Sequence, residues 1–116
     1  MMTIHEDLNQ VAVTGEVYHE PTTISTREGL LCSFRLKVSK RIKSGGQPVG
    51  KDCYFKVVLF DKQAERWDPE IFAGTRLAVS GELDEEVWEK DGKTMKATRI
   101  IGRFVSVISQ PGVSRE

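Results

Sequence analysis

Apolar and polar residues alternate along several parts of the chain, which is the pattern of β-strands with one buried face. The clearest case is LLCSFRLKVS at residues 30–39, in which every even-numbered residue is apolar. Related patterns indicate a strand in four other segments. The sequence therefore predicts five strands, at about 9–18, 30–39, 51–60, 75–88 and 94–108.

The segments between these strands carry helix and turn signals. DKQAERWDPEIFAG at 61–74 has helical composition as far as Pro69, so we expect a short helix at about 62–68. The dipeptide at residues 91–92, Asp-Gly, is a strong signal for a hairpin between the last two strands. EPTTISTREG at 20–29 is turn-rich, and KRIKSGGQPVGK at 40–51 is expected to be a flexible basic loop.

The order of these elements predicts an all-β fold. Five strands, internal glycines at Gly15 and Gly81 that suggest bends, and one inserted helix are typical of a five-stranded Greek-key barrel of the OB type. In this fold one short helix lies between strands 3 and 4, and strands 4 and 5 form a long hairpin. A β-sandwich is the alternative, but the position of the helix disfavours it. Trp67, Ile71 and Phe72 are expected to cap the bottom of the barrel.

A chain of 116 residues suits one domain. We expect residues 1–108 to form the OB-fold domain and 109–116 a short flexible C-terminal end. No apolar run is long enough to span a bilayer, and the opening MMTIHEDLNQ lacks the basic region of a signal peptide. These features favour a cytoplasmic protein.

Catalytic and metal-binding motifs are absent from the sequence. His5 and His19 have no motif partner, and Cys32 and Cys53 lie in the apolar phase of strands, where both are expected to be buried core thiols. The acidic run at 84–86, Asp-Glu-Glu, is expected to be a solvated edge. We therefore expect no enzyme activity, no cofactor and no metal site.

The charge of the chain is unevenly distributed although its formal net charge is zero. Residues 27–62 contain nine Lys and Arg residues and three acids, and this segment includes the strand KDCYFKVVLF at 51–60. Alternation places Cys53, Phe55, Val57 and Leu59 on the core face of that strand. Its other face then carries two aromatic rings with a lysine between them. An ordinary basic, solvated surface is the alternative interpretation.

Exposed aromatic rings stack on nucleobases and cations neutralise phosphates, and these are the two interactions that hold single-stranded nucleic acid. The predicted outer faces supply both kinds of group, although core packing is the alternative for each ring. The residues are Arg35 and Lys37 on strand 2, Tyr54, Lys56 and Phe60 on strand 3, and Trp88, Lys90, Lys93 and Lys96 on the 4–5 hairpin.

Several segments, in this order, resemble the bacterial-type single-stranded DNA-binding protein family. They are NQVAVTGEV, EGLLCSFRLKVSKR, YFKVVLFDKQAE and AGTRLAVSGEL, and the similarity extends over residues 9–108. The resemblance implies an OB barrel that coats and protects single-stranded DNA in replication, recombination and repair, in association with the nucleoid. It also implies a homotetramer, with a dimer as the alternative.

The resemblance assigns roles to particular positions. The family's base-stacking aromatics fall on Tyr54, Phe60 and Trp88, and Ile42 stands where a further aromatic is often found. The basic positions that match the family's phosphate path are Arg35, Lys37, Lys43, Lys56 and Lys62. The positive charge of the loop and the hairpin adds Lys40, Arg41, Lys93 and Lys96 as candidate phosphate contacts.

Two features depart from the family pattern. The acidic residues 84–86 are expected to weaken DNA binding or redirect its path. The sequence ends at QPGVSRE without an acidic tail, so recruitment of replication and repair proteins stays open, as does the choice between truncation and natural absence. The acidic run also motivates an alternative function, a protein-interaction module of primosome-accessory type with secondary nucleic-acid binding. An enzyme acting on nucleic acid is a third hypothesis, which lacks candidate catalytic residues.

Overall fold

The computed structural model describes residues 3–111 and contains five β-strands, one α-helix and one 3₁₀ turn. The predicted fold class is confirmed, with the helix between strands 3 and 4. The strands are β1 (Val11–Thr26), β2 (Gly29–Ser44), β3 (Gln47–Phe60), β4 (Arg76–Lys90) and β5 (Lys93–Ser109). Helix α1 spans Lys62–Trp67, and the 3₁₀ turn Asp68–Glu70 follows it directly.

The strands form a closed barrel in the order β1-β2-β3-β5-β4. All neighbouring pairs are antiparallel except β3 and β5, which run parallel and pair at Val57 with Ile100 and at Val58 with Ile101. This short parallel contact closes the barrel. Because β3 and β4 are not neighbours, the chain must cross between them, and α1 lies in that connection.

The barrel interior is filled by the apolar phase of the strands, as alternation predicts. Leu36, Leu59 and Leu77 are fully buried, and they belong to a single cluster with residues from all five strands and α1. Full burial of a side chain of this size stabilises the fold by about 1.5–3 kcal/mol. The core is therefore the main source of stability, and it fixes which strand faces point outward.

Gly81 marks a close contact between β4 and β5, as its position in the strand predicts. It lies opposite Gly102, next to a register shift between Ser80 and Gly81. A Cβ atom at Gly81 would lie 1.9 Å from the backbone oxygen of Ile101, and one at Gly102 would lie 2.6 Å from a methyl carbon of Leu59. A larger residue at Gly81 must therefore move the backbone of β5, whereas one at Gly102 must displace the buried side chain of Leu59.

Two segments predicted as turn or loop are instead strand. β1 continues through 20–26, and the basic segment 40–51 forms the paired ends of β2 and β3. Gly45 and Gly46 make the two-residue turn with φ of 60° and 81°, a conformation that glycine adopts without steric cost. These strand ends lie beyond the core, so both of their faces are exposed and no apolar alternation indicates them.

Three side chains differ in burial from the prediction. Phe72 is exposed and does not cap the barrel, whereas Ile71 is buried and Trp67 is partly buried. Phe55 is 41% exposed because it precedes the point at which β3 meets β5, so no strand covers it. Val58, on the outer phase, is fully buried at the parallel pairing.

Only one of the two cysteines is a core thiol. Cys32 is buried, whereas Cys53 is only partly buried, so the prediction of two buried thiols is wrong for Cys53. Burial raises the pKa of the Cys32 thiol, and this effect outweighs a hydrogen bond with Thr23 that lowers it. Asp68 raises it further, so Cys32 stays protonated at neutral pH.

Within residues 3–111, no helix has the length and apolar character needed to cross a membrane. Nor does that part of the chain contain a group of three or more His, Cys, Asp or Glu side chains placed to hold a metal ion.

Candidate nucleic-acid interface

The pairing of β2 with β3 places the predicted cations and aromatics side by side on the outer face. Arg35 lies directly opposite Lys56, and Lys37 lies directly opposite Tyr54. Side chains at opposed positions of an antiparallel pair have Cβ atoms about 4.5–5.5 Å apart. Two cations and one aromatic ring therefore surround Lys56 on a single surface.

The three rings predicted to stack on bases are accessible. Tyr54, Phe60 and Trp88 are 43%, 40% and 41% exposed, so none is sealed in the core. A side chain that is about two-fifths exposed on a sheet is held by its neighbours while one surface stays in water. This is the geometry that a stacking platform needs, and base binding by these rings stays a prediction.

A groove runs between β3 and the β4–β5 hairpin. Because β4 and β5 extend past the barrel, the hairpin carries Trp88 alongside the outer face of β3. The groove thus joins residues that are far apart in the sequence. It is lined by Arg35, Tyr54, Phe55, Lys56, Glu86, Trp88, Ala97 and Thr98.

Ion pairs occupy part of this groove. The Lys56 ammonium lies 2.9 Å and 3.2 Å from the two carboxylate oxygens of Glu86. Arg99 Nε donates a 2.8 Å hydrogen bond to Asp84 Oδ2, and Arg99 Nη1 lies 3.9 Å from Glu86 Oε2. The guanidinium of Arg99 also lies 5.7 Å from the centre of the Phe60 ring.

The expectation of a solvated acidic edge at 84–86 is therefore wrong for two of the three residues. Asp84 and Glu86 are partly buried and bridge three strands, whereas Glu85 is exposed and lies 3.9 Å from Lys96. Pairs of this kind contribute about 0–1 kcal/mol, so a phosphate group is able to compete for the lysine. Glu86 thus lowers the positive potential at Lys56 without closing the groove.

The cations of the 40–51 segment have a different environment. Lys40 lies opposite Lys51, Arg41 opposite Gly50, and Lys43 near the turn opposite Pro48. Within residues 3–111, none of these cations lies within 4.0 Å of a carboxylate. Their charge is available to a polyanion.

The remaining predicted residues lie at the margins of the groove. Ile42 is exposed opposite Val49, which makes a small apolar surface where the resemblance implies an aromatic ring. Lys62 begins α1, and Lys93 begins β5 at the hairpin turn. The structure therefore brings together the residues of β2, β3 and Trp88, but it does not bring Lys62, Lys93 or the 40–51 segment into the same groove.

Sequence reasoning missed two residues at this surface. Arg99 was not selected, although the two-residue turn at 91–92 makes its position opposite Asp84 countable from the sequence. The prediction ends β1 at Tyr18 and gives this residue no role, yet its ring centre lies 4.9 Å from that of Tyr54. The apolar Val17, in phase with Val11 and Val13, is the signal in the sequence, because the residue after an inward-pointing one points outward.

These observations describe an OB barrel with accessible aromatics and cations on one outer face. They define the class of protein as a nucleic-acid-binding barrel. Residues 8–108 match the single-strand binding protein family, and the chain belongs to that family.

Two relatives show the extent of the sequence similarity. The single-stranded DNA-binding protein of Aquifex aeolicus (strain VF5) is 31% identical over 106 residues, which are 90% of this chain and 72% of that protein. The single-stranded DNA-binding protein of Treponema pallidum (strain Nichols) is 29% identical over 103 residues, which are 88% of this chain and 58% of that protein. The chain therefore spans between 58% and 72% of these two relatives.

Solved structures show the same fold. A Plasmodium falciparum SSB complex with ssDNA has a TM-score of 0.82 at 19% identity, covering 92% of this chain and 100% of that one. A deletion mutant of the single-stranded DNA binding protein from Thermus aquaticus has a TM-score of 0.78 at 27% identity, covering 90% of this chain and 52% of that one.

Proposed function

We propose that this protein binds single-stranded DNA without sequence preference, and that it coats and protects DNA in replication, recombination and repair. The observation that carries the proposal is the groove, in which Arg35 and Lys56 lie opposite each other beside two accessible rings, Tyr54 and Trp88. No base-edge recognition is needed, because every base has a face that stacks. Family membership and the relatives' names support the same function.

Bases stack on Tyr54 and Trp88 in the groove and on Phe60 next to it, and Ile42 presses on a further base. Phosphates follow the cations of β2 and β3 and continue onto the 40–51 segment. This path includes Arg35, Lys37, Lys40, Arg41, Lys43, Lys56 and Lys62, with Lys93 and Lys96 on the hairpin. Such a protein acts as a binder without catalysis, in the cytoplasm and in association with the nucleoid.

A fluorescence titration with oligo-dT at two salt concentrations tests this function. Stacking on Trp88 is expected to quench tryptophan emission, and higher salt is expected to weaken binding because phosphate contacts release counterions. Trp67 is partly buried with Arg66 over its ring, so a Trp88→Phe variant reports the emission of Trp67 alone. The proposal fails if oligo-dT binds no more tightly than a duplex of equal length, or if its affinity does not depend on salt.

We also propose that the chain associates with itself, as a homotetramer or, alternatively, a dimer. Phe104 is 75% exposed on the outer face of β5, surrounded by small residues of β1 and β4 such as Ala12 and Ala78. An aromatic ring on a flat, mostly apolar surface is suited to burial against a second copy. Light scattering is expected to give a multiple of the monomer mass, and Phe104→Glu is expected to lower it. A monomer mass for the unmodified chain would contradict self-association.

The protein-interaction module is the weaker alternative. Its motivation was the acidic run at 84–86, but Asp84 and Glu86 are paired with Arg99 and Lys56. Paired carboxylates offer little free charge to a basic partner. A stoichiometric protein partner from nuclease-treated lysate, together with DNA affinity no tighter than nonspecific binding, would favour this alternative.

A further inference from the structure

Tyr18 lies on β1 at the margin of the groove, in a position that none of the predicted contacts uses. It is opposite Arg35, which in turn is opposite Lys56, so the three residues form one row across β1, β2 and β3. The side chain is 41% exposed, the same fraction as Trp88. Its ring meets that of Tyr54 edge to face, at 4.9 Å and 60°.

A distortion of the backbone adds a second ring beside Tyr18. Consecutive residues of a regular strand point to opposite faces, yet the rings of Tyr18 and His19 are 4.0 Å apart. His19 has a φ of 67°, and the pairing register of β1 with β2 shifts between Tyr18 and Thr22. Positive φ in a residue other than glycine is strained, and such strain concentrates at functional sites.

The backbone before this distortion is held in place. Val17 donates its N–H to the backbone oxygen of Thr75 at 2.8 Å and accepts a bond from the N–H of Gly74 at 2.9 Å. The side chain of Val17 is buried in the core. Tyr18 therefore extends from a fixed point, which reduces the entropy that a ligand must remove when it binds.

We propose that Tyr18, with His19 beside it, is a further base-stacking residue that extends the nucleic-acid surface from β3 onto β1. The ligand is an unpaired nucleobase adjacent to the one held at Tyr54, and its phosphate lies near Arg35. This inference rests on the proposed function, because it requires single-stranded nucleic acid in the groove. The alternative is that Tyr18 only supports the ring of Tyr54.

The first test measures affinity for oligo-dT of about 4 to about 16 nucleotides, the range of site sizes of one OB fold. Tyr18→Leu is expected to weaken binding of the longer oligonucleotides about fivefold to a hundredfold and that of the shortest much less. Tyr18→Phe keeps the ring and is expected to stay within twofold of the unmodified chain. Phe72→Leu is the matched control, because Phe72 is an exposed aromatic that does not line the groove.

The second test uses the unmodified chain, so it does not depend on whether a variant folds. Oligo-dT carrying 5-iodouracil is irradiated in the complex, and the crosslinked peptide is identified by mass spectrometry. Crosslinks at Tyr18 or His19 support the inference. Crosslinks confined to Tyr54 and Trp88, or equal losses at all oligonucleotide lengths for Tyr18→Leu, overturn it and leave the proposed function standing. Absence of binding and of Trp88 quenching overturns the proposed function itself.

Discussion

The two hairpin arms of the barrel have the same backbone design but opposite electrostatics. The β2–β3 arm (residues 40–51) and the β4–β5 arm (residues 84–99) both extend past the core and both end in a two-residue turn with positive φ. The β2–β3 arm has four bases and no acid, whereas the β4–β5 arm has four bases and five acids. Because the two arms share the same backbone design, any difference in how they bind a polyanion comes from their side chains.

This difference separates the two interactions that hold a single strand. Cations without carboxylate partners release counterions when they meet phosphate, so we expect the β2–β3 arm to supply salt-dependent affinity. In the β4–β5 arm, Lys96 and Arg99 already contact carboxylates of the same hairpin. We therefore expect that arm to contribute through the Trp88 ring, in a way that is largely independent of salt. The comparison gives four predictions.

The largest effect is expected where the β4–β5 arm leaves the barrel. Gly81→Ala places a methyl group against the backbone oxygen of Ile101, so we expect it to destabilise the fold by about 3 kcal/mol, measured by urea denaturation. Gly50→Ala in the β2–β3 arm is the matched control. Nothing lies within 4 Å of a Cβ atom there, so its effect is expected to stay within about 0.5 kcal/mol. Equal denaturation midpoints for the two variants would contradict this account of the arms.

The second effect concerns stacking at the two arms. Trp88→Ala is expected to weaken oligo-dT binding by about 1–3 kcal/mol. The salt dependence is expected to stay unchanged, since no charge is removed. Ile42→Ala, at the corresponding exposed position of the β2–β3 arm, is expected to have a smaller effect because an aliphatic side chain covers less of a base. The measurement is a fluorescence-anisotropy titration at several salt concentrations. A change in salt dependence for Trp88→Ala would mean that the ring positions a phosphate contact.

The core and the arms also differ in how far the sequence predicts them. Alternation at residues 30–39 predicts β2 because one face of that strand is buried, and burial is what alternation records. The β2–β3 arm has no buried face, so 40–51 resembles a loop in sequence, and Gly45 and Gly46 are the only local evidence for pairing there. The Asp-Gly turn at 91–92, by contrast, predicts the β4–β5 hairpin. Ion pairs between residues that are far apart in the sequence are difficult to predict for a further reason. The contact of Lys56 with Glu86 depends on the order β3-β5-β4 in the closed barrel, which no local pattern specifies.

The third effect concerns the ion pair in the groove. Glu86→Gln removes the carboxylate that contacts Lys56, so we expect oligo-dT to bind more tightly by about 1 kcal/mol and the salt slope to steepen by about 0.7. Glu89→Gln is the control, because Glu89 belongs to the same arm and accepts a hydrogen bond from Thr94. Both variants change the net charge equally. Equal gains in affinity would show that overall charge matters and that the contact with Lys56 does not.

The smallest effect is expected on the salt slope when a single cation of either arm is removed. Lys43→Gln removes a cation without a carboxylate partner among the described residues and is expected to reduce the magnitude of the salt slope by about 0.7, the value for one phosphate contact on a single strand. Lys96→Gln removes a cation that lies 3.9 Å from Glu85, so it is expected to reduce the slope by clearly less. Both lysines are exposed, and neither substitution alters the core. The slopes come from oligo-dT affinities measured across a salt series. If Lys96→Gln lowers the slope as much as Lys43→Gln does, the carboxylates of the β4–β5 arm do not compete with phosphate, and the electrostatic distinction between the arms fails.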